Sequence, residues 1–272
     1  MARVASGGGA GSPKLTPGSP RAVQLGFRKR FDAPRRLAPG RVPRREHLDR
    51  PDIADSEKRL SYADLETVSR MPFQLGPLER AVARLAARAR KAPGPLRLVE
   101  LGAGTGRIGL RIAERLARRG LEVELLSTDI SRSMLPDARS GPGLVVRPVR
   151  LDVVSDPLPE ADVIFTNLLI HHLSDSQAAA LFRNMRRAAR LGGAVFDLDR
   201  NAFAFHFLRL FFPVWSRSPI SPADALISVQ QAFRVEELRA LAAEAGIETP
   251  HLRRYLGLRT LLWWETPRGL PE

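Results

Sequence analysis

Between Leu96 and Ile108 the chain reads Leu-Arg-Leu-Val-Glu-Leu-Gly-Ala-Gly-Thr-Gly-Arg-Ile. An apolar run feeds three alternating glycines, Gly102, Gly104 and Gly106, and an apolar-periodic segment leaves them. That order predicts a buried strand, a tight loop and a helix start. Glycine admits positive φ and leaves the backbone open to close approach by a ligand. The helix start beyond it presents unpaired N–H groups to negative charge. A chain built around such a loop is constrained to an α/β fold, and its ligand is expected to be nucleotide-like.

The rest of the chain repeats the strand-to-helix rhythm. Strands are expected at Leu96–Leu101, at Leu121–Ser127 ending on Asp129, at Val145–Leu151 ending on Asp152, at Asp162–Asn167 and at Ala194–Leu198. Ile108, Ile112 and Leu116 mark a helix closed by Gly120. Ser174-Asp175-Ser176-Gln177 is a capping box ahead of another helix. Gly192-Gly193 is read as the turn into the fifth strand, and Val235–Ala245 as a helix ended by Gly246. Two apolar runs, Ile247–Tyr255 and Leu258–Trp264, meet at Leu256-Gly257 and predict an antiparallel hairpin. Alternation of this kind makes a parallel sheet with helices on both faces, and ligands sit at the carboxyl ends of its strands. The glycine loop, Asp129, Asp152 and Asn167 all fall there.

Composition sets the boundaries. Among 272 residues there is no cysteine, which removes disulfides, thiolate metal sites and cysteine nucleophiles. Of the net charge of +14, residues 1–50 carry +9, from twelve Lys/Arg against three Asp/Glu. Residues 1–45, rich in Pro, Gly and Arg, are expected to be a basic tail without a core of its own. Residues 46–95 read as an N-terminal helical segment, with helix from Ser61 and again after Gly76-Pro77. Residues 96–268 read as the main domain, with an apolar insert at 201–232. No apolar run approaches the ~18 residues of a membrane span, and no signal peptide is visible, so a cytoplasmic location is expected.

Two ligand readings compete. Gly104-Thr-Gly106-Arg-Ile-Gly109 satisfies the dinucleotide fingerprint G-x-G-x-x-G. The only tyrosines, Tyr62 and Tyr255, have no lysine four residues on, so the pair a short-chain dehydrogenase uses is missing. The second reading accounts for more residues. Glu100-Leu-Gly102-Ala-Gly104-Thr-Gly106 resembles motif I of the class I S-adenosylmethionine-dependent methyltransferases. Thr128-Asp129-Ile130-Ser131, Leu151-Asp152-Val153, Asp162 to Asn167 with Leu169-Ile170-His171-His172-Leu173, and Leu191-Gly192-Gly193 resemble the family's later motifs in the same order. The C-terminal hairpin resembles the antiparallel strand that sets the family's sheet apart. The resemblance implies a doubly wound, Rossmann-like sheet of seven strands, mostly parallel with an antiparallel C-terminal strand, plus N-terminal helices. It implies S-adenosyl-L-methionine as cofactor, held by Glu100, Gly102, Ala103, Gly104, Gly106, Asp129, Ile130, Asp152, Val153 and Asn167. In it Asp129 takes the ribose hydroxyls, Asp152 the adenine amino group, and Glu100 braces the loop.

His171 and His172 follow the fourth strand, on the acceptor side, and are the candidate catalytic bases, since imidazole titrates near neutrality. No metal is expected: adjacent histidines diverge, and no acidic residue is spaced to join them. The nucleic-acid methyltransferase motif Asn/Asp-Pro-Pro-aromatic is replaced by Asn167-Leu-Leu-Ile170, and no cysteine is present for cytosine-C5 chemistry, so nucleic acid is not the expected acceptor. Phe203, Phe205, Phe207, Phe211, Phe212 and Trp215 crowd the insert after strand five and suggest a lipophilic acceptor or a peripheral membrane contact. The chain is accordingly read as a methyltransferase for a small lipophilic or phenolic acceptor, oxygen favoured, similar to bacterial polyketide- and quinone-associated members. An NAD(P)-dependent oxidoreductase and a non-catalytic S-adenosylmethionine-binding protein are the alternatives.

Overall fold

The computed structural model describes residues 31–69, 72–89 and 94–267. Strand β1 (Leu96–Leu101) sits centrally between β2 (Val123–Asp129) and β5 (Ala161–Asn167), parallel to both. Outside these lie β4 (Leu144–Arg150), β3 (Arg139–Gly141), β6 (Ala189–Leu198), β8 (Arg259–Glu265) and β7 (His251–Tyr255). The order is β3-β4-β2-β1-β5-β6-β8-β7. Three pairings are antiparallel: β3 with β4, β6 with β8 and β7 with β8. The sheet therefore has eight strands where seven were expected. The extra one is β3, three residues beside β4 at the edge, too short and too exposed to leave an apolar pattern.

Alternation of side chains divides the core in two. Leu96 and Leu98 of β1, with Val163 and Phe165 of β5, face helices α2 (Pro72–Ala86) and α3 (Arg107–Ala117). Val99, Leu101 and Ile164 face α4 (Asp175–Ala188) and α7 (Val235–Glu244). Burial on both faces is why these strands read as unbroken apolar runs. Leu78, Val82 and Leu85 of α2 are fully buried, each stabilising by about 1.5–3 kcal/mol.

Three local expectations need correction. Gly76-Pro77 does not break the helix: α2 starts at Pro72 and contains Pro77. That proline is the sixth helical residue, past the first turn, so the helix continues through it at the loss of one backbone hydrogen bond. Helix α1 (Asp55–Ser69) likewise begins before Ser61. Gly192 and Gly193 lie inside β6, not ahead of it. The Trp264 indole and backbone of β8 press on them, and any side chain at either position would collide. The hairpin tip at Leu256-Gly257 holds: both residues have positive φ (51° and 66°), and the Leu258 N–H donates to Tyr255 O (3.0 Å) to close the turn. The Ser174–Gln177 capping box is present in both directions.

The insert 201–232 forms α5 (Ala202–Trp215), capped by Asn201, and α6 (Ser221–Gln231). Helix α6 is buried although it carries Asp224, Ser228, Gln230 and Gln231. Buried polar groups need partners, and here the N-terminal segment supplies them. Gln230 Oε1 accepts from Ala38 N (3.1 Å) and Gln231 Oε1 from Arg44 N (2.7 Å). Asp224 accepts from the backbone of His47 (2.8 Å) and Leu48 (2.9 Å), and pairs with His47 Nδ1 (2.7 Å). Arg200, itself buried, donates to Pro39 O (2.7 Å) and pairs with Glu237. Residues 36–48, part of them expected as tail, thus form a strap laid across α6. Residues 1–30 lie outside the described residues.

Candidate active site

The glycine loop turns at the carboxyl end of β1, with Gly102, Gly104 and Gly106 all at positive φ. Two backbone bonds anchor it: Ala103 N to Thr128 O and Gly106 N to Ala103 O, each 2.8 Å. Asp129, at the end of β2, accepts from Gly104 N (2.8 Å) and Ser131 N (2.9 Å). A carboxylate has about four acceptor sites, so both oxygens keep capacity toward a diol. At Gly104 an added Cβ would meet nothing within 4 Å, so this backbone faces open space.

Glu100 lies beneath the loop, buried, and its Oε1 accepts from Gly109 N (3.0 Å). Its Oε2 finds no partner among the described residues. Burial pushes its carboxyl up to about 8, against the Gly109 N–H and with help from Asp129. The role is that of a brace. A side chain at Gly109 would occupy the space of the Glu100 carboxylate. The last glycine of the apparent dinucleotide fingerprint is therefore required by Glu100, and the dinucleotide reading loses its only motif.

The remaining cofactor candidates divide. Asp152, after β4, caps its own turn by accepting from Val154 N (2.9 Å), with the half-buried Val153 against the core. Ile130 is exposed at the loop after β2. Asn167 reaches the expected strand end, but its Oδ1 accepts from Arg259 Nη2 (2.5 Å) on β8. Arg259 also stacks over Phe196 (3.8 Å), so Asn167 ties β5 to the antiparallel edge. Tyr62 of α1 joins this region: burial and the carboxylates of Asp49 and Asp129 raise its phenol above the ordinary range.

His171 and His172 occupy a short 3-10 turn after β5 (Ile170–His172). Contrary to expectation, their rings do not diverge: the centroids are 4.1 Å apart at 37°. An acid also reaches them. His171 Nδ1 bonds Asp197 Oδ1 at the end of β6 (2.6 Å), and Nε2 faces Glu46 Oε1 of the strap (3.7 Å). Asp197 further accepts from Ile170 N (2.8 Å) and Leu198 N (2.7 Å), and Glu46 from the Ser228 hydroxyl. Glu46, His171 and His172 lie close enough to share an ion. Two carboxylates around one imidazole, however, already balance a proton. Arg41 fastens the strap here, donating to Leu173 O (2.7 Å) and Gln231 O (2.6 Å), pairing with Asp175 and stacking on Phe233 (3.6 Å).

The electrostatics follow. Burial opposes charge on His171, but Asp197 and Glu46 outweigh it and raise its pKa to about 10. Burial and the His171 charge lower His172 below its ordinary value. Burial would raise Asp197 and Glu46, yet their contacts with His171 hold both below the usual carboxylate range. At neutral pH the site therefore pairs an imidazolium, His171, with a neutral imidazole, His172. NMR titration of the two ring resonances should place the His171 midpoint near 10 and that of His172 below the ordinary histidine value. Glu46→Gln should lower the His171 midpoint; an unmoved midpoint would mean that Glu46 does not face this ring.

Asp197 and Glu46 were not among the expected site residues. Asp197 carried a readable signal, an acid closing an apolar strand (Val195-Phe196-Asp197), the same signal that marks Asp129 and Asp152. Glu46 carried none.

An open sheet of this order with its antiparallel edge, a glycine loop braced by an acid and acids on the next strand ends define a class I methyltransferase fold. Residues 98–193 match the family model described as "Methyltransferase domain". Among curated proteins it is similar to the non-reducing polyketide synthase pks11 of Talaromyces marneffei, 32% identical over 139 residues, 47% of this chain and 5% of that one. Clavatol synthase claF of Penicillium crustosum is 30% identical over 128 residues, covering 45% and 5%. The chain thus spans about a twentieth of these relatives' length. Among solved structures, the methyltransferase SibL superposes with a TM-score of 0.54 at 16% identity, covering 92% of this chain and 70% of that one. The plantazolicin methyltransferase BpumL gives 0.54 at 13%, covering 79% and 92%. At such identities the likeness is one of fold.

Proposed function

We propose that the chain transfers a methyl group from S-adenosyl-L-methionine to an oxygen of a small, lipophilic, phenol-like acceptor. The observation that carries this is the pairing of two half-sites on one sheet edge. The open Gly104 backbone beside Asp129 suits a ribose-bearing cofactor, and the His171–His172 pair stands at the neighbouring strand ends. The cofactor residues would be the Gly102–Gly106 loop, Asp129 for the ribose hydroxyls, and Asp152 with Val153 for the adenine. When bound, the cofactor supplies an activated methyl on a sulfonium, so that transfer is an in-line displacement at carbon. The protein's share is then alignment and proton removal. His171, its ring nitrogens facing Asp197 and Glu46, would position the adjacent His172 ring. His172, neutral at pH 7, takes the proton, a contribution of about 10²–10⁴-fold. The lipophilic acceptor class is supported by the aromatic insert that follows β6 and by the polyketide synthases among the relatives.

Calorimetry with S-adenosylmethionine and with NADH, followed by transfer of a labelled methyl to a panel of hydrophobic phenols, tests the reading. Saturable binding of the first and product carrying an aryl methyl ether are expected. Binding of NADH alone would overturn the cofactor, and label at ring carbon would overturn the choice of oxygen. Among the described residues no helix is long and apolar enough to cross a membrane.

A further inference from the structure

Helix α5 is apolar on two sides, and the described residues cover only one of them. Ala204, Phe205 and Phe212 are buried, the first two against Leu226 and Val229 of α6. On the opposite side Phe203, Phe207, Leu210, Phe211 and Val214 recur at i, i+4, i+7, i+8 and i+11, a single stripe along the helix. Leu210 is 67% exposed, Val214 71% and Phe203 57%. The rings of this stripe are stacked in a row, Phe203 on Phe207 (5.8 Å between centroids) and Phe207 on Phe211 (4.9 Å). The hairpin tip continues the surface. Gly257 packs against the Phe203 ring, and its neighbour Leu256 is 61% exposed. Leu256 also adopts φ +51°, a conformation that costs a branched side chain free energy and that lies at the solvent face of the turn. Large exposed apolar patches mark interaction sites.

The charge around the stripe selects the partner. Arg209 stands within α5 and donates to Arg35 O, which brings the exposed Arg35 and Arg36 of the N-terminal segment alongside. Residues 1–50, Arg35 and Arg36 included, carry +9 of the chain's +14. A second copy would be a poor fit: a twofold contact presses the same patch, and the same arginines, against themselves. An apolar helix face flanked by arginines suits the boundary between acidic head groups and acyl chains.

We infer that α5 and the β7–β8 tip form a docking face for the surface of an anionic lipid bilayer, with α5 lying in the membrane plane. The inference extends the lipophilic-acceptor reading by giving such an acceptor a phase to arrive from, since α5 begins just after the β6 end that carries Asp197. Co-sedimentation of the full chain with phosphatidylcholine vesicles, with and without phosphatidylglycerol, tests it. Binding is expected to the acidic vesicles, at least about tenfold weaker to the neutral ones and reduced by salt. Leu210→Asp with Val214→Asp, both on the exposed stripe, should weaken vesicle binding by at least about tenfold at unchanged melting temperature. Three results would overturn the proposal: no binding to either vesicle, binding indifferent to the double substitution, or a dimer in sedimentation that the double substitution splits. Calorimetry with S-adenosylmethionine, run on the same samples, reports the cofactor reading separately. Vesicle binding without cofactor binding would sink that reading and leave the docking face standing.

Discussion

Asp197→Ala should lower stability by about 3–5 kcal/mol, the usual cost of stripping the partner from a buried ion. For a chain of this size that is a fall in melting temperature of about 6–20 °C. The reason is the number of donors that meet on this carboxylate: the His171 ring, Ile170 N and Leu198 N all lose their acceptor. The sign of the pH dependence follows from the two shifts. His171 is raised to about 10 in the fold, so its contribution is complete below its unfolded value of about 6.5 and fades as pH climbs through 10. Asp197 is depressed in the fold, so its contribution is complete above the unfolded carboxylate value near 4 and fades as pH falls. The gap between wild type and variant should therefore be widest between about pH 4 and 6.5 and should narrow on both sides. Thermal melts across that range check it, and a gap that ignores pH would mean the pair is not ionised. Asp197→Asn keeps an acceptor without the charge. It should recover part of the stability while the His171 titration midpoint still falls.

Gly104→Arg should abolish S-adenosylmethionine binding, a loss of at least about 100-fold in affinity, with the fold intact. The backbone there stands at φ +52°, which costs a side chain about 1–2 kcal/mol. Its Cβ would point into open space, so the interior feels little while the space in front of the Gly102–Gly106 loop fills. Gly104→Ala separates the two effects, carrying the strain without the bulk, and should fall between. Calorimetry on both variants decides. Unchanged affinity in the arginine variant would mean that the loop binds something other than this cofactor.

What could be read in advance followed from how locally each feature is encoded. Strand β1, its glycine exit and the acids closing β2 and β4 are written in consecutive residues, because a strand buried on both faces must be apolar throughout and must end where polarity returns. Glu100 could be placed as a brace through the resemblance of Glu100 to Gly106 to motif I of the methyltransferases. The histidine environment could not be read in this way. His171 owes its charge to Asp197, one strand away, and to Glu46, which arrives on the strap. A segment dominated by Arg, Pro and Gly looks unable to order itself, and by its own apolar content it is. Its contacts come from the polar side chains of α6, which on their side look misplaced on a buried helix until the strap covers them. Gly192 and Gly193 misled for a related reason. Glycine pairs usually mark turns, but here the indole that excludes a side chain lies on a strand at the far end of the chain.

The strap has a consequence for how this protein can change. The proposed nucleotide half lies within the family-matched stretch, whereas Glu46, beside the proposed acceptor half, is carried by a ribbon outside it. That ribbon is fastened mainly through its backbone, by Gln230, Gln231, Asp224 and Arg200. Backbone fastening is indifferent to which side chains the ribbon bears. Such a piece can be rewritten at most positions, Arg41 and His47 excepted, with its seat preserved. New acceptor preferences would then arise at the margin of the molecule while the cofactor cradle stays as it is, and a version trimmed to the recognisable domain would lose the margin where that variation is stored.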